Sequence, residues 1–147
     1  IRKFEPHGLE ESIRINTLPT LLIAKHSQKL LRQSSQSVFA TISAKVGSIE
    51  DNQLGGWYSY RISKAALNMA IKTLSIEWSK SVPNCCVAAF HPGTVTTKLS
   101  APFVGEGKTH ALLSTSQSAA YLSQMANNLK PADTGRFWSW NGNEICW

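Results

Sequence analysis

The sequence of 147 residues predicts an α/β fold, in which a parallel β-sheet carries helices on both faces. Three observations lead to this fold class. Helical segments alternate along the chain with short segments rich in apolar and β-branched residues. Those short segments are apolar nearly throughout, which is typical of strands that are buried on both faces. Long loops with glycine, the second also with proline, follow two of them, and ligands bind beyond the carboxyl ends of the strands in such sheets.

The amino-terminal part predicts a helix, a strand and a loop. Residues 9–33 have helical spacing, and Pro19 should bend or locally break that helix. Residues 37–43 (SVFATIS) are short and β-branched, which predicts a buried strand, and the glycines of 44–56 predict a loop. One face of the first helix should carry its larger aliphatic residues, namely Leu18, Leu22, Leu30 and Leu31.

The strongest helix prediction covers residues 58–80. Its small or apolar face should be formed by Ala65, Ala66, Met69, Ala70 and Leu74. The remaining elements follow in order: strand 85–90, loop 91–108, helix 114–129 with a Ser/Thr cap, strand 135–140 and a turn at 141–143. A loop as long as 91–108 is usually functional in a compact domain.

Composition excludes several classes of protein. The hydrophobic content of 42% and charged content of 16% fit a globular chain. The net charge is +6, but the 15 lysines and arginines are scattered, so we expect no nucleic-acid partner. No apolar run reaches transmembrane length, so we expect no membrane partner. Three cysteines without zinc-type spacing indicate a reducing compartment, and with no signal peptide at the start we expect a cytoplasmic protein without a metal site.

Tyr60 and Lys64 are the first candidates for chemistry. Their spacing of four residues puts both side chains on one face of the predicted helix. A tyrosine has a pKa of about 10, and a nearby ammonium group favours its phenolate form. Such a pair can serve as an acid or base near neutral pH. By itself, however, the spacing is more often a coincidence between two exposed residues.

Four motifs in order give the pair a context. YSYRISKAALN resembles the active-site helix of the short-chain dehydrogenase/reductase family. INTLPTLLIAKH resembles the helix that carries the family's catalytic asparagine, VFATISAKVGSI the strand and loop with its serine, and HPGTVTT its Pro-Gly loop. The longer stretch SAKVGSIEDNQLGGWYSYRISKAALN, together with the tail GRFWSWNGNEICW, resembles the C-factor-like group and its carbonyl-reductase relatives. The resemblance covers essentially the whole chain.

The resemblance implies an NAD(P)-dependent oxidoreductase that reduces a carbonyl or oxidises an alcohol. Tyr60 would exchange a proton with the substrate oxygen, while Lys64 would lower the pKa of Tyr60 and bind the nicotinamide ribose. Asn16 would hold a kinked helix and a water molecule in the proton relay. Pro92 and Gly93 would shape a loop against the nicotinamide. The same loop would offer backbone to the carboxamide at Val95 and a phosphate contact at Thr97, and NADP is slightly preferred over NAD.

The identity of the serine stays open between Ser48 and Ser43. The family has two adjacent serines after the strand, the second of them catalytic, but here the pair reads Ser43-Ala44. Ser48 lies twelve residues before Tyr60, which is close to the family's usual separation, and Ser43 lies seventeen before it. A hydroxyl near the carbonyl oxygen would stabilise developing negative charge. We prefer Ser48 narrowly, and the other serine should cap loop backbone.

Other conspicuous residues receive mostly structural interpretations. His91 has no evident catalytic or metal partner, and Cys85 and Cys86 should be inert buried thiols. Trp57 and Tyr58 either line the substrate pocket or are aromatic loop residues that pack against neighbouring side chains. The carboxyl-terminal tryptophans should build core or a subunit contact: Trp138, Trp140 and Trp147. Pocket shape should depend on the loop near residues 98–112.

The family's glycine-rich dinucleotide turn is not found in this sequence. Residues 1–147 are therefore predicted to be the carboxyl-terminal part of a single short-chain dehydrogenase domain, a Rossmann-like doubly wound sheet whose amino-terminal βαβ units are absent. We expect an unpaired strand edge and exposed apolar helix faces, and an isolated chain that is marginally stable and binds cofactor weakly or not at all.

Two kinds of function stay open for such a chain, beside a third interpretation as a purely structural remnant. The first is carbonyl chemistry on a small-molecule carbonyl or alcohol, with homo-oligomerisation through the outer faces of residues 9–33 and 58–80 if the protein is full length. The alternative is a catalytically inactive fragment that signals or binds a partner in the manner of the C-factor-like group.

Overall fold

The computed structural model describes residues 1–101 and 112–147. It has the predicted alternation of helices and strands, except that the first helix is divided in two and that two short strands were not predicted, one of them (Thr94–Val95) inside the predicted loop 91–108. The helices are α1 (Pro6–Asn16), α2 (Leu18–Gln33), α3 (Tyr58–Ser81) and α4 (Thr115–Asn128). The strands are β1 (Ser37–Ile42), β2 (Cys85–His91), β3 (Thr94–Val95), β4 (Leu112–Leu113) and β5 (Arg136–Ser139). Ser114 caps α4 reciprocally with Gln117, which confirms the predicted cap.

The main sheet has the order β1-β2-β5, and both of its ladders are parallel. Because β2 is central and covered on both faces, six of its seven residues are buried, which explains its apolar sequence. β3 and β4 form a separate short parallel pair. The α/β fold with a parallel sheet is thus confirmed.

Alternate residues of β2 face two different hydrophobic clusters, one on each side of the sheet. On one side α2 and α3 cover the strands, and Phe39 meets Trp78 edge-to-face at 5.4 Å between ring centroids. On the other side α4 supplies Leu122, which packs with Phe90. The carboxyl-terminal tryptophans pack against these clusters, as predicted: Trp138, Trp140 and Trp147.

The first predicted helix is broken at Thr17, between α1 and α2. Pro19 would clash with the carbonyl of the residue four positions earlier, so the break falls just before it, and the proline sits in the first turn of α2. The expected exposure of apolar helix faces is confirmed, because Leu22 is 57% exposed and Leu30 68% exposed. Of the four leucines, Leu31 is the one that packs against the core.

The small or apolar face predicted for α3 coincides only in part with the face that the structure buries. Of the five residues named, Leu74 is buried and the three alanines are half-buried, whereas Met69 is 64% exposed. The helix instead buries a mixed face of apolar and polar side chains: Ser63, Lys64, Leu67, Asn68, Ile71, Leu74, Ser75 and Trp78. An apolar-stripe argument misses this face because it places lysine and asparagine outside.

β1 lies at an edge of the described sheet. The backbone N–H groups of Ser37 and Ser43 donate to the carbonyl oxygens of Asn84 and Phe90. The backbone N–H and C=O groups of odd-numbered residues along β1 therefore face β2. Backbone groups of the even residues, such as Ala40, therefore point away from β2. The expected unpaired edge is confirmed within the described residues. In that same part of the chain, no helix has the length and apolar character needed to cross a membrane.

Candidate active site

Part of the predicted site lies at the carboxyl ends of the parallel strands β1 and β2. β1 and β2 end side by side, with Ile42 in register with Phe90. Ser43 follows β1 directly, His91 ends β2, and Tyr60 lies in the first turn of α3. Residues 102–111 of the loop predicted to shape the pocket lie outside the described residues.

Tyr60 lines a cavity of about 450 Å³. Its hydroxyl group makes no hydrogen bond within residues 1–101 and 112–147, so it is available to a ligand. Burial raises the pKa of Tyr60 above its usual value, because the charged phenolate would lose hydration. The tyrosine is therefore a neutral phenol at physiological pH in this chain. The resemblance implies the opposite direction, a pKa lowered by Lys64.

Lys64 is only 9% exposed and donates from Nζ to the Ile42 carbonyl oxygen at 3.1 Å. Burial also lowers its pKa below the usual value, since the ammonium loses hydration. Gly47 permits this placement, because a Cβ at that position would lie 2.8 Å from the Lys64 backbone carbon. The loop after β1 thus approaches α3 closely at Gly47, which keeps Lys64 near the end of β1.

The two serines are both buried but differ in their hydrogen bonds. Ser43 donates to Oδ1 of Asn68 at 2.6 Å, so its proton is already used. Ser48 accepts a hydrogen bond from the N–H of Asp51 at 3.1 Å, and its own proton has no acceptor among the described residues. The two serines thus differ in whether their hydroxyl proton is engaged within the described residues, and both side chains are almost fully buried.

Asn16 is the last residue of α1, at the break between the two first helices. Its Nδ2 donates to the Ser63 hydroxyl at 3.1 Å, and the neighbouring Thr17 hydroxyl donates to the Ser63 carbonyl at 3.0 Å. The Ser63 hydroxyl in turn donates to the Tyr60 carbonyl at 2.9 Å. Asn16 therefore joins the helix break to the first turn of α3.

The Pro-Gly loop is fixed from two sides. Ser118 of α4 donates to the Pro92 carbonyl at 2.8 Å. Gly93 has φ of 81°, and a Cβ there would lie 2.8 Å from side chains of Leu113 and Trp140, so only glycine fits. Val95 belongs to β3, and the Thr97 N–H is bound by the Ser100 hydroxyl at 3.1 Å.

His91 is a neutral imidazole in this site. Burial lowers its pKa to about 4, with a smaller contribution from the charge of Lys45. The Lys45 N–H donates to Nδ1 at 3.4 Å, a long bond that ties the loop after β1 to the end of β2. These contacts favour the structural interpretation of His91.

Two side chains with clear structural roles were missed by sequence reasoning. Arg61 donates to the carbonyls of Val46, Gly55 and Gly56 at 3.1 to 3.2 Å, so one guanidinium fixes both ends of the loop that contains Ser48. Asn68 accepts from Ser43 and is buried, with its Nδ2 unpaired within the described chain. The partners of both are backbone or loop atoms, which leave no signal in sequence spacing.

Comparisons with known proteins place the whole chain among related sequences and folds. No family model matches the chain. It is 37% identical over 139 residues to the 1-hydroxy-2-glutathionyl-2-methyl-3-butene dehydrogenase of a Rhodococcus species, covering 95% of this chain and 58% of that protein. It is 30% identical over 139 residues to the C-signal protein of Myxococcus xanthus, covering 95% of this chain and 78% of that protein.

Solved structures agree with these relatives. The carbonyl reductase Sniffer of D. melanogaster superposes with a TM-score of 0.85 at 26% identity, covering 100% of this chain and 60% of that one. The NADPH-bound carbonyl reductase from chicken fatty liver gives a TM-score of 0.86 at 27% identity, with the same coverage. The chain therefore spans somewhat more than half the length of most of these proteins.

Proposed function

Because the chain belongs to the short-chain dehydrogenase/reductase family, we propose that it carries the catalytic part of an NAD(P)-dependent carbonyl reductase acting on a small molecule. The observation that carries this proposal is the Tyr60 hydroxyl, which has no hydrogen-bond partner within residues 1–101 and 112–147 and lies one helical turn from Lys64, whose ammonium is bound at the end of β1. A neutral phenol is the form that can donate a proton, which suits reduction of a carbonyl better than oxidation of an alcohol.

In the proposed reaction, the substrate carbonyl oxygen accepts the proton of the Tyr60 hydroxyl. The Ser48 hydroxyl donates a hydrogen bond to the same oxygen and stabilises its developing negative charge. The Lys64 ammonium, held against the end of β1, stabilises the phenolate that proton loss leaves on Tyr60. Asn16 steadies the first turn of α3 through Ser63. A reduced nicotinamide, when bound, supplies the hydride.

The described residues fit the nicotinamide end of such a cofactor. Leu113 and Trp140 fill the side of Gly93 on which a Cβ would project, so a nicotinamide would pack against the opposite side of the Pro92-Gly93 turn. Val95 and Thr97 follow on the same loop and would take the carboxamide and a phosphate. The NADPH-bound chicken carbonyl reductase supports NADP over NAD as the preferred cofactor.

We also propose that residues 1–147 are the carboxyl-terminal part of one dehydrogenase domain. Two observations support this: the chain covers 60% of the Sniffer structure, and its sequence has no Gly-x-x-x-Gly-x-Gly turn. That turn would bind the pyrophosphate in the family. The exposed apolar side chains on α2 and α3, including Leu22, Leu30 and Met69, support a homo-oligomer of the longer protein through these helices.

The C-signal relative favours a second candidate, a fragment that signals or binds a partner without catalysis. The two functions differ in their dependence on Tyr60. A carbonyl reductase loses turnover when the phenolic hydroxyl is removed. A partner-binding fragment keeps its interaction in the same variant, because the exposed helix faces are unchanged.

The test is a titration of the purified 147-residue chain with NADPH and NADH, followed by nicotinamide fluorescence and by carbonyl turnover at saturating nucleotide. We expect weak binding, weaker than micromolar, with NADPH ahead of NADH. Tyr60→Phe should keep nucleotide binding and lose carbonyl turnover, whereas Tyr121→Phe on α4 should change neither. Turnover that is equal in Tyr60→Phe and the unmodified chain, or no nucleotide binding by a folded chain, would contradict the proposed function of this chain.

A further inference from the structure

A second cavity, of about 570 Å³, lies between α4 and β5, the strand at the other end of the sheet from β1. α4 contributes Tyr121 and Met125 to its lining, and the opposite wall contains Trp138 of β5 and Trp140 just after it. The volume falls within the range of small-molecule sites. In the described part of the chain, this cavity shares no lining residue with the one beside Tyr60, so it is a separate candidate site.

Three aromatic side chains line this second cavity. The rings of Tyr121 and Trp140 meet at 5.3 Å between centroids, tilted by 44°. Trp138 packs against the same hydrophobic cluster as Trp140, two positions later in the chain. The guanidinium carbon of Arg136 lies 5.5 Å from the centroid of the Trp138 ring, within cation–π distance. One ring of this wall thus already contacts a cation within the protein.

The lining is negative although the chain as a whole has a net charge of +6. Asp133 supplies this charge, and no lysine, arginine or histidine joins it among the described residues that line the cavity. Arg136 lies nearby, but its Nη1 is 3.8 Å from Oδ1 of Asp133 and 3.9 Å from Oε2 of Glu144. Two carboxylates and one guanidinium leave one negative charge in excess, so a cation that enters the cavity is attracted.

The hydrogen bonds of the lining favour a cation without N–H groups. Oδ2 of Asp133 already accepts the Lys130 N–H at 3.0 Å, and Oδ1 of Asn141 accepts the Asn143 N–H at 3.2 Å. Part of the acceptor capacity is therefore used within the protein. A quaternary ammonium needs no acceptor, and its methyl groups carry the charge onto aromatic faces.

We propose that the cavity between α4 and β5 binds a small quaternary ammonium compound of the choline type. Its trimethylammonium group packs on the aromatic wall of Tyr121, Trp138 and Trp140, and its charge is balanced by Asp133. The site does not depend on the proposed reductase function, because none of its lining residues belongs to the candidate active site.

The experiment compares choline with 3,3-dimethyl-1-butanol, in which carbon replaces the charged nitrogen at nearly equal shape. Each is titrated into the isotopically labelled 147-residue chain without nucleotide, at constant ionic strength, and NMR follows the indole N–H signals. We expect choline to shift the signals of Trp138 and Trp140 saturably, with a dissociation constant about fivefold lower than that of the neutral alcohol. A peptide that carries trimethyllysine is the third ligand, and tighter binding of that peptide than of choline would overturn the assignment to a small molecule.

One pair of variants tests the charge of the lining. Asp133→Asn removes the negative charge but keeps a side-chain oxygen for the Lys130 N–H, so the fold should be retained. We expect it to remove most of the preference for choline over the alcohol. Glu77→Gln is the matched control, because this exposed carboxylate lies on α3, on the other face of the sheet, and the preference should stay unchanged.

A second set of variants tests the aromatic wall. Tyr121 is 40% exposed, so its replacement should be tolerated by the fold. Tyr121→Leu should reduce the preference for choline, whereas Tyr121→Phe keeps the ring and should keep the preference. Tyr58→Leu removes an exposed ring from the cavity beside Tyr60 and should have no effect on choline binding.

Three further results would overturn the inference: no saturable shift with choline, equal binding of choline and the alcohol, or a preference that survives in both Asp133→Asn and Tyr121→Leu. The titrations contain neither nucleotide nor carbonyl substrate, so their outcome is independent of the proposed function. A chain that reduces carbonyls but does not bind choline contradicts the inference alone. A chain that binds choline at this cavity but binds no nucleotide contradicts the proposed function alone.

Discussion

The ammonium of Lys64 donates a 3.1 Å hydrogen bond to the carbonyl oxygen of Ile42, the last residue of β1. Ile42 is an even-numbered residue, so this carbonyl points away from β2 toward the open edge. The lysine thus binds a backbone acceptor that has no partner strand within the described part of the chain. It does so while nearly buried, which lowers its pKa and makes its positive charge costly at neutral pH.

Lys64→Met should abolish carbonyl turnover yet leave the fold intact. The folded pKa of Lys64 lies below its unfolded value, so its charge opposes folding at neutral pH, and this cost disappears as the pH rises past the folded pKa. Methionine removes the cost and keeps most of the volume, so we expect a free energy of unfolding that is unchanged or raised by about 1 kcal/mol. Urea unfolding at pH 7 measures this, with the exposed Lys80→Met as the control. A large loss of stability in Lys64→Met alone would refute the argument.

Ser48→Ala and Ser43→Ala should separate catalysis from stability. Removing the free hydroxyl proton of Ser48 should lower kcat on the order of a hundredfold. Removing Ser43 leaves the buried Asn68 without its hydrogen-bond partner and should lower the free energy of unfolding by about 1 to 3 kcal/mol, with a smaller effect on kcat. Steady-state kinetics and urea unfolding of both variants check this assignment. The reverse pattern would identify Ser43 as the serine that acts on the substrate.

His91 should make the chain less stable in mild acid. Its folded pKa of about 4 lies below the unfolded value of about 6.5, so the unfolded chain takes up a proton first as the pH falls. Stability present above pH 6.5 should decline toward pH 4, by on the order of 2 kcal/mol more than in His91→Gln. Denaturant unfolding across this pH range tests the slope. His26→Gln, on an exposed part of α2, should behave like the unmodified chain, and equal slopes for all three proteins would contradict the prediction.

Two glycine substitutions should have opposite effects on stability. Gly47→Ala would push a Cβ to 2.8 Å from the Lys64 backbone, so we expect a loss of about 1 to 3 kcal/mol. Gly8→Ala, inside α1, would meet only the Ser59 hydroxyl at 3.8 Å and should gain about 0.5 to 1 kcal/mol from helix propensity. Thermal or urea unfolding compares them directly. A neutral Gly47→Ala would mean that the loop and α3 can separate without cost.

The order of helices and strands follows from the sequence because hydrophobic periodicity and glycine or proline positions report local geometry directly. The apolar run from Cys85 to Phe90 indicates a doubly covered strand, and the structure buries it at the centre of the sheet. Pro19 indicates a helix break, and sterics place that break at Thr17. These inferences succeed because they depend on neighbours within a few residues.

The buried face of α3 and the loop contacts of Arg61 depend on tertiary structure and could not be predicted in the same way. Asn68 turns inward because Ser43, 25 positions away, offers it a hydrogen bond. Arg61 binds three carbonyl oxygens, and every residue type offers such an oxygen, so its role has no sequence signature. Local rules fail here at the candidate site, where a sequence most often departs from them.

The central position of β2 also determines how the chain can fold. Paired residues in both of its ladders are 48 positions apart in sequence, as in Ser37 with Cys85 and Ala88 with Arg136. Bringing β1 to β2 and bringing β5 to β2 therefore close loops of similar length at similar entropic cost. The strength of the contacts in each ladder then decides which pair of strands forms first. The ladder to β1 has six residue pairs and the ladder to β5 has four, so the β1–β2 unit with α3 is the expected folding nucleus. Substitutions in β2 that weaken this unit would then slow refolding, whereas those in β5 would mainly accelerate unfolding.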